Sequence, residues 1–585
     1  MSIGVLWRNK ETEKFNNLKE SMKMEKEKRI ENLKLLVDKL KKLPELDFLS
    51  ELKERYPRAK VFLVGGLVRD ALLKRESKDI DLVVKGIGLT ELAKILSRYG
   101  RVIFDLSPKI KVEDLSSQEE RRLIKEGFGV IKFQPSGKKE IIDVALPRTD
   151  VHQNRSIPIE GIRRDVFAFS QPDLPIKEDL KRRDFTINAI AVDLEKGEII
   201  DPFNGLEDIE KKVVRSVGSP RKRILQEDLS RAFRGLRFSV QLGFSLEKET
   251  AEAIKLAFLP SPKSISEYYQ KEKNKEVLKK LLTREKKIKK DYKIPPQENL
   301  PRCLQVFYDH RVEAVKPVVS PEIISNEFLK SFDADPVKTL KLWDEFGALK
   351  VIFPEIEMMK NVPQPKEFHT EGDVYQHTLL ALKKVPKNAD LRIKLAVLFH
   401  DIGKPLTLKT PEKDGTKRIR FDEHAEVGAE LTKKILKRLR LPKRIIEPVV
   451  WAIKHHMLPL TAKGAELRDS TIEKYFFRPD GWGEILLELA KYDAMASIPL
   501  SGKTEMDCYN KLKERVERMR ELKEKEAKIA KPFIRGDDLI GLGLKPGPIF
   551  AEILDEIRDL QLKGKLKNKQ EAIDYLKKHC IKNIE

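Results

Sequence analysis

The stretch VGGLVRDALLKRESKDIDLVV, residues 64–84, constrains this chain more than any other. The apolar run KVFLV (60–64) predicts a short strand, Gly65-Gly66 a tight turn, LVRDALL (67–73) a helix and DIDLVV (79–84) a second strand. Side chains two apart on a strand share a face, so Asp79 and Asp81 are expected to point the same way. Neighbouring carboxylates repel, and a strand gains little from holding both. A divalent cation removes the conflict, because Mg²⁺ takes hard oxygen ligands and bridges to phosphates. Two such ions can activate an attacking hydroxyl and stabilise a departing pyrophosphate. The Gly-Gly turn runs into a helix N-terminus with free backbone N–H groups, a ready phosphate cradle. Arg69 and Asp70 follow on its first turn. Each piece is common alone; strand, Gly-Gly, helix and DxD within 21 residues point to nucleotidyl transfer.

Further along, GVIKFQ and KEIIDVAL read as a hairpin pair around PSGK. Asp143, on the second of these strands, is the candidate third carboxylate of a metal site; the plainer alternative is a charge at a strand edge. The α/β pattern runs from about residue 58 to 200, and from about residue 206 the chain reads as helical.

Residues 1–57, dense in Lys and Glu with scattered Leu, read as two amphipathic helices broken near Pro44, a solvated extension. A second basic run, KEKNKEVLKKLLTREKKIKKDYK (271–293), holds eleven Lys or Arg against four acids. It looks like an inserted helix between Pro-containing linkers: a solvated face, or, on the sharper reading, an RNA contact. The net charge of +23 favours a polyanionic partner, nucleic acid or an anionic membrane surface. No stretch approaches the roughly 18 apolar residues of a membrane helix. Neither a signal nor a transit peptide is expected at the N-terminus. Cys303, Cys508 and Cys580 lie too far apart for a disulfide framework or a Cys-based zinc site, so a cytoplasmic setting is expected.

Histidine is concentrated: six of nine (His369, His377, His400, His424, His455, His456) fall within 369–456. His377 reads as helical, and His400-Asp401 ends a nearly all-apolar helix. Such a doublet delivers an imidazole and a carboxylate to one ion from a rigid support.

The glycine turn and DxD pair resemble those of the class II tRNA nucleotidyltransferase and bacterial poly(A) polymerase family, within the DNA polymerase beta superfamily. The resemblance runs from about residue 58 to 258 and again from 319 to 577. It implies an α+β head, a DNA polymerase beta-like sheet with helices, followed by an all-α neck, body, HD domain and tail. The corresponding boundaries are 58–200, 201–258, 319–362, 363–500 and 501–585, with the 1–57 extension and a 259–318 insertion added. It also implies that Asp79 and Asp81 bind catalytic Mg²⁺ and that Gly65 and Gly66 contact the triphosphate. EDLKRRDFTINAIA (178–191) resembles the second motif, where Arg182, Arg183, Asp184 and Asn188 would handle ribose and phosphates. Paired arginines suit this, offering fork-shaped donors to phosphate oxygens, and Asp184 could accept from a sugar hydroxyl or orient Arg183. DPFNGLEDI (201–209) resembles the hinge-like third motif.

QEDLSRAFRGLRF (226–238) matches the EDxxR element. On one helix, Glu227, Arg231 and Arg234 would recur at i, i+4 and i+7, with Asp228 spaced to pair with Arg231. The resemblance implies that Asp228 and Arg231 hydrogen-bond the Watson–Crick edge of ATP or CTP. A wrong base would leave buried groups unpaired at roughly 1–3 kcal/mol each. SPEIISNEFLKSF (320–332) departs from the family, with Ile323 where an Arg is usual.

The histidine segments HTEGDVYQHTLLAL and LAVLFHDIGKP resemble an HD phosphohydrolase domain. His377, His400, Asp401, His424, His455 or His456 (His455 as the choice) and Asp493 would hold a divalent transition metal such as Ni²⁺ or Mn²⁺. That metal would activate water against phosphate esters, 2′,3′-cyclic phosphates included. IRGDDLIGLGLKPGPIFAEILDEI matches the tail of HD-containing members, with Asp537, Gly543 and Pro546 at helix turns.

The expectation is a CCA-adding tRNA nucleotidyltransferase using CTP and ATP, with tRNA held through its phosphates and helical shape. The full-length 147–178 segment leans against CC-only addition. A-only addition and poly(A) polymerase are the rivals within the family. From other classes stand an HD hydrolase with a degenerate head and a non-catalytic RNA-binding protein.

Overall fold

The computed structural model describes residues 27–104, 112–123, 129–152, 166–258, 319–459, 467–501, 506–525 and 531–579, except single positions 78, 117, 119, 122 and 479. The 259–318 insertion, residues 1–26 and 153–165, Cys303 and Cys580 therefore lie outside the described residues. Two compact units form: Met1–Ser331 with Leu342–Val351, and Phe332–Lys341 with Ile352–Glu585.

The first unit is built on a seven-stranded sheet of β1 (Lys60–Val64), β2 (Ile80–Lys85), β3 (Gly100–Ile103), β4 (Val130–Pro135), β5 (Ile142–Ala145), β8 (Ala191–Asp193) and β9 (Ile199–Ile200). Its order is β3-β4-β5-β2-β1-β8-β9. The expected hairpin forms: β4 pairs antiparallel with β5, Val130 opposite Ala145. β2 and β5 run parallel, with Asp81 opposite Asp143. β6 (Arg148–His152) and β7 (Val166–Ser170) form a separate hairpin.

The strand pleat divides the apolar side chains between two cores. Leu63, Leu82 and Val84 face the larger one, while Phe62, Val64 and Val83 face the smaller. Helices α1 (Phe48–Arg55) and α3 (Leu89–Tyr99) pack on the larger face, and α2 (Gly66–Leu72) links β1 to β2. Past the sheet come α4 (Gly205–Glu210), a π-helix (Arg221–Glu227), α5 (Ser230–Leu242) and α6 (Lys248–Phe258). Trp343, fully buried, sits against Phe233 and Phe328.

The solvated-extension reading of 1–57 is corrected for its described part. Leu33, Val37, Leu46, Phe48 and Leu52 belong to the same buried cluster as the sheet residues. Phe48 meets Phe133 edge-on, ring centroids 5.6 Å apart. The Lys and Glu residues clothe the outer side of helices whose Leu and Phe stripe closes one face of the sheet.

The second unit is helical. It contains α7 (Val374–Lys384), α8 (Leu391–Phe399), α9 (His424–Arg438), α10 (Lys443–His455), α11 (Asp469–Phe476), α12 (Trp482–Ala496) and α13 (Met506–Lys525). A further cluster around Leu539, Ile553, Ile557 and Leu576 holds Gly536–Gly541, α14 (Ile549–Leu562) and α15 (Lys569–His579) together. Gly543, at φ +87°, turns the chain between the first two. The expected α+β region followed by helices is thus present. Among the described residues, no helix is long and apolar enough to cross a membrane.

Candidate active site and metal centre

In the first unit the sequence-predicted residues converge on a cleft of about 610 Å³. Gly65, Gly66, Arg69, Asp81, Arg182, Arg183, Asp184, Asn188, Asp228, Arg231 and Arg234 all line it. Asp143 lies beside Asp81 on the neighbouring strand. Asp79 was expected on the strand; pairing begins only at Ile80, so it stands exposed one residue before β2. Burial first, then the charges of Asp143 and Asp79, push Asp81 up to about 6 against the opposing pull of Arg183. Three carboxylates crowded until one of them resists ionising fit a site for hard cations.

Gly65 is required beside them. Its φ is +78°, and a Cβ there would stand 2.7 Å from Asp81 Oδ2. Opposite, buried Asp179 holds both guanidiniums of the RRD segment: Arg182 Nε donates to Oδ1 at 2.9 Å and Arg183 to Oδ2 at 3.3 Å. Asp184 points away from Arg183 and orients Arg234 instead, accepting from its Nε at 2.7 Å. It also accepts from Asn188 Nδ2 and Phe185 N. Burial raises the Asp184 carboxyl, but Arg234, Asn188 and Phe185 N–H outweigh it and hold it well below the usual range. Asn188 in turn accepts from Arg69 at 2.8 Å.

The one-helix reading of the EDxxR segment is corrected. Glu227 ends the π-helix, Asp228 is extended at φ −153°, and α5 starts only at Ser230. Asp228 therefore does not pair with the Arg231 side chain. It accepts from Ser230 N at 2.9 Å, while Arg231 pairs with Glu227 at 3.0 Å. Sequence reasoning missed Arg148, Asp150, Arg237 and Phe238, which also line the cleft. Burial, then repulsion from Arg182, lowers Arg148 to about 10. Nothing in PRTD marked it, whereas Arg237 and Phe238 are the last two residues of the segment that carries EDxxR.

In the second unit, His377 on α7, His400 and Asp401 just past α8, His424 opening α9, His456 just past α10 and Asp493 on α12 form one buried cluster. His456, not His455, joins it. Consecutive helical side chains diverge by about 100°, and His455 turns outward onto Trp451 and Tyr475. His400, His424 and His456 each place Nδ1 on a backbone carbonyl, of Val397, Phe421 and Ile453. That fixes the tautomer and aims three Nε2 lone pairs inward. Two of these, on His424 and His456, lie 3.2 Å apart, and His400 Nε2 makes no hydrogen bond. Asp401 spans the cluster: Oδ2 is 3.2 Å from His400 Nε2 and Oδ1 is 3.6 Å from His424 Nε2. Lone pairs and carboxylates turned on one another in a buried site suit the donor chemistry of a divalent cation.

Burial lowers His377, yet the hydrogen bonds it donates to Asp493 and Glu371 hold it at about 9. Burial and the neighbouring His424 and His400 depress His456 to about 3. Glu371 and Lys404 were missed. Lys404 Nζ lies 2.7 Å from Asp401 Oδ2, and Glu371 accepts from His377 Nδ1 at 2.7 Å. Their nearness in sequence to His377 and Asp401 was the available signal. Gly403 belongs to the same framework, since a Cβ there would meet His424 O at 2.2 Å.

Residues 61–215 match the poly(A) polymerase head domain family, and residues 374–496 match the HD domain family. The chain joins a poly(A) polymerase head domain to an HD domain. Its head domain contains the carboxylates and the RRD segment, and its HD domain contains the histidine cluster. A multifunctional CCA protein of Vibrio parahaemolyticus is 28% identical over 431 residues, covering 72% of this chain and 80% of that protein. An A-adding tRNA nucleotidyltransferase of Deinococcus radiodurans is 29% identical over 405 residues, covering 68% and 78%. The CCA-adding enzyme of Bacillus stearothermophilus in complex with CTP superposes with a TM-score of 0.53 at 20% identity. It covers 93% of this chain and 99% of that one, so head, neck and helical remainder share its fold.

Proposed function

We propose that the chain is a template-independent tRNA nucleotidyltransferase that builds the 3′-terminal CCA from CTP and ATP. The observation that carries this reading is the cleft, lined by Asp81, by the arginines of the RRD segment and by the Asp228–Arg231 segment, with Asp143 in register beside Asp81 on the neighbouring strand. Relatives named for CCA addition, aligned over most of their own length, support it.

Asp79, Asp81 and Asp143 would hold Mg²⁺, which when bound supplies charge stabilisation to the attacking and leaving oxygens. Backbone N–H groups after Gly65, with Arg182 and Arg183, bind the triphosphate. Asp184 and Asn188 keep Arg69 and Arg234 in place around the sugar. Asp228 and Arg231 face the base with hydrogen-bonding groups that adenine and cytosine satisfy and other bases leave unpaired. The tRNA is gripped through phosphates, consistent with the +23 charge, in a salt-dependent way. The Deinococcus relative favours a second reading, addition of the terminal A alone.

In the HD domain, His377, His400, Asp401, His424, His456 and Asp493 would hold a transition metal such as Ni²⁺ or Mn²⁺ for hydrolysis of phosphate esters. The head, neck, body, HD-domain and tail limits of the sequence reading, with the described residues before 58 joined to the head, and a cytoplasmic setting are part of the same proposal.

Three tRNA transcripts, ending before CCA, after C and after CC, test the proposal with CTP and ATP supplied singly and together. Full CCA on the shortest transcript is the expected result. Extension of the CC-ended transcript alone selects A-addition, and no extension of any overturns the proposal. Hydrolysis of 2′,3′-cyclic AMP with Ni²⁺, Mn²⁺ or Mg²⁺ tests the HD centre separately.

A further inference from the structure

Arg223 lies outside every sequence motif and does not line the cleft, yet it touches both of the cleft's working segments. Its guanidinium donates to the backbone carbonyls of Arg182, at 2.6 Å, and Arg183, at 2.5 Å. Its own carbonyl accepts from Asp228 N at 3.3 Å and from the Arg231 guanidinium at 2.9 Å. Arg223 also pairs with Glu227, which pairs with Arg231. A second Arg231 nitrogen reaches the same Arg182 carbonyl at 3.2 Å.

The π-helix makes this possible. The i to i+5 bond between Asp228 and Arg223 widens the turn and leaves Asp228 extended at its end. The Arg223 backbone thus belongs to the base-facing segment, while its side chain grips the backbone of the segment carrying the triphosphate arginines.

We propose that Arg223 is a positioning residue that couples base recognition to the placement of Arg182 and Arg183. The proposal rests on the nucleotidyltransferase reading above. A matched base holds Asp228 and Arg231 in place, and the Arg223 tie fixes the Arg182 and Arg183 backbone. A mismatched base shifts Arg231, and the shift passes to the arginines that align the triphosphate. Selectivity then appears in kcat as well as in KM. Only a planar fork can serve two adjacent carbonyls and a carboxylate together, so lysine cannot replace it.

The test is steady-state incorporation of CTP and of UTP onto a tRNA transcript lacking CCA, by wild type, Arg223→Lys and Arg223→Gln, with melting temperatures measured alongside. In both variants the kcat ratio of CTP to UTP falls about tenfold, while the KM values change by less than about threefold. A kcat ratio unchanged from wild type, with or without lower melting temperature, overturns the coupling and leaves a structural tie. Wild type that incorporates no CTP overturns the underlying CCA-adding reading itself, a result distinct from an active wild type with unaltered variants.

Discussion

Asp81 and Asp143 face one another in register across parallel strands β2 and β5, and their repulsion, added to burial, holds Asp81 near 6. Asp81 is therefore raised above its ordinary 3.8, and the folded chain binds this proton more tightly than the unfolded one. By linkage its contribution is favourable at low pH and is lost as pH rises through about 6. Metal-free Asp81→Asn should then be more stable than wild type at pH 7.5, by about 1–3 kcal/mol, and no more stable at pH 4. Thermal melts in chelator at both pH values check this. The same variant should lose nucleotidyl transfer by at least about a thousandfold, with tRNA binding nearly intact in a filter assay.

Gly65 stands where a side chain cannot. Gly65→Ala adds a Cβ against Asp81 Oδ2 at a left-handed φ, which costs about 1–2 kcal/mol in backbone strain. Transfer should fall further than stability does, because the displaced group is the carboxylate. Comparing the change in melting temperature with the change in kcat/KM separates the two effects.

The Asp184–Arg234 pair, half-buried with the Arg234 side chain 35% exposed, lines one side of the cleft. Its depressed carboxyl contributes stability that is present above the unfolded pKa and persists into acid, lost only below the usual carboxylate range. Asp184→Ala should destabilise the first unit by about 1–2 kcal/mol, because the partly exposed Arg234 regains water when its partner is removed, read by urea unfolding. It should also raise KM for both nucleotides, as Arg234 loses its orientation.

His455 and His456 are adjacent in sequence and opposite in placement. His456→Ala should weaken binding of Mn²⁺ or Ni²⁺ by at least about tenfold in calorimetry. His455→Ala should leave it unchanged, and equal effects of the two would contradict the cluster described above.

Phe48 is fully buried in the sheet's core although it belongs to a stretch rich in charge. Phe48→Ala should cost about 3–5 kcal/mol of stability, measured by chemical denaturation. A solvated extension would lose almost nothing.

The strand–turn–helix–strand of residues 60–85 was legible because its signals are local: an apolar run, a glycine pair and alternation of period two. The histidine cluster was legible for the same reason, since a doublet closing an apolar helix is visible in the chain itself. Tertiary structure alone decided the partners. Asp143 stands beside Asp81 because β2 and β5 run parallel, a long-range pairing that no spacing encodes. Asp184 orients Arg234 and not its neighbour Arg183, and Asp228 leaves the helix it was assigned to, because burial and the π-helix set side-chain direction there. The choice of His456 over His455 turned on the rotational setting of one helix against its neighbours. Local sequence determined which chemistry the chain carries; packing determined which side chains of each motif meet, because contact depends on distances between segments that are remote in the chain.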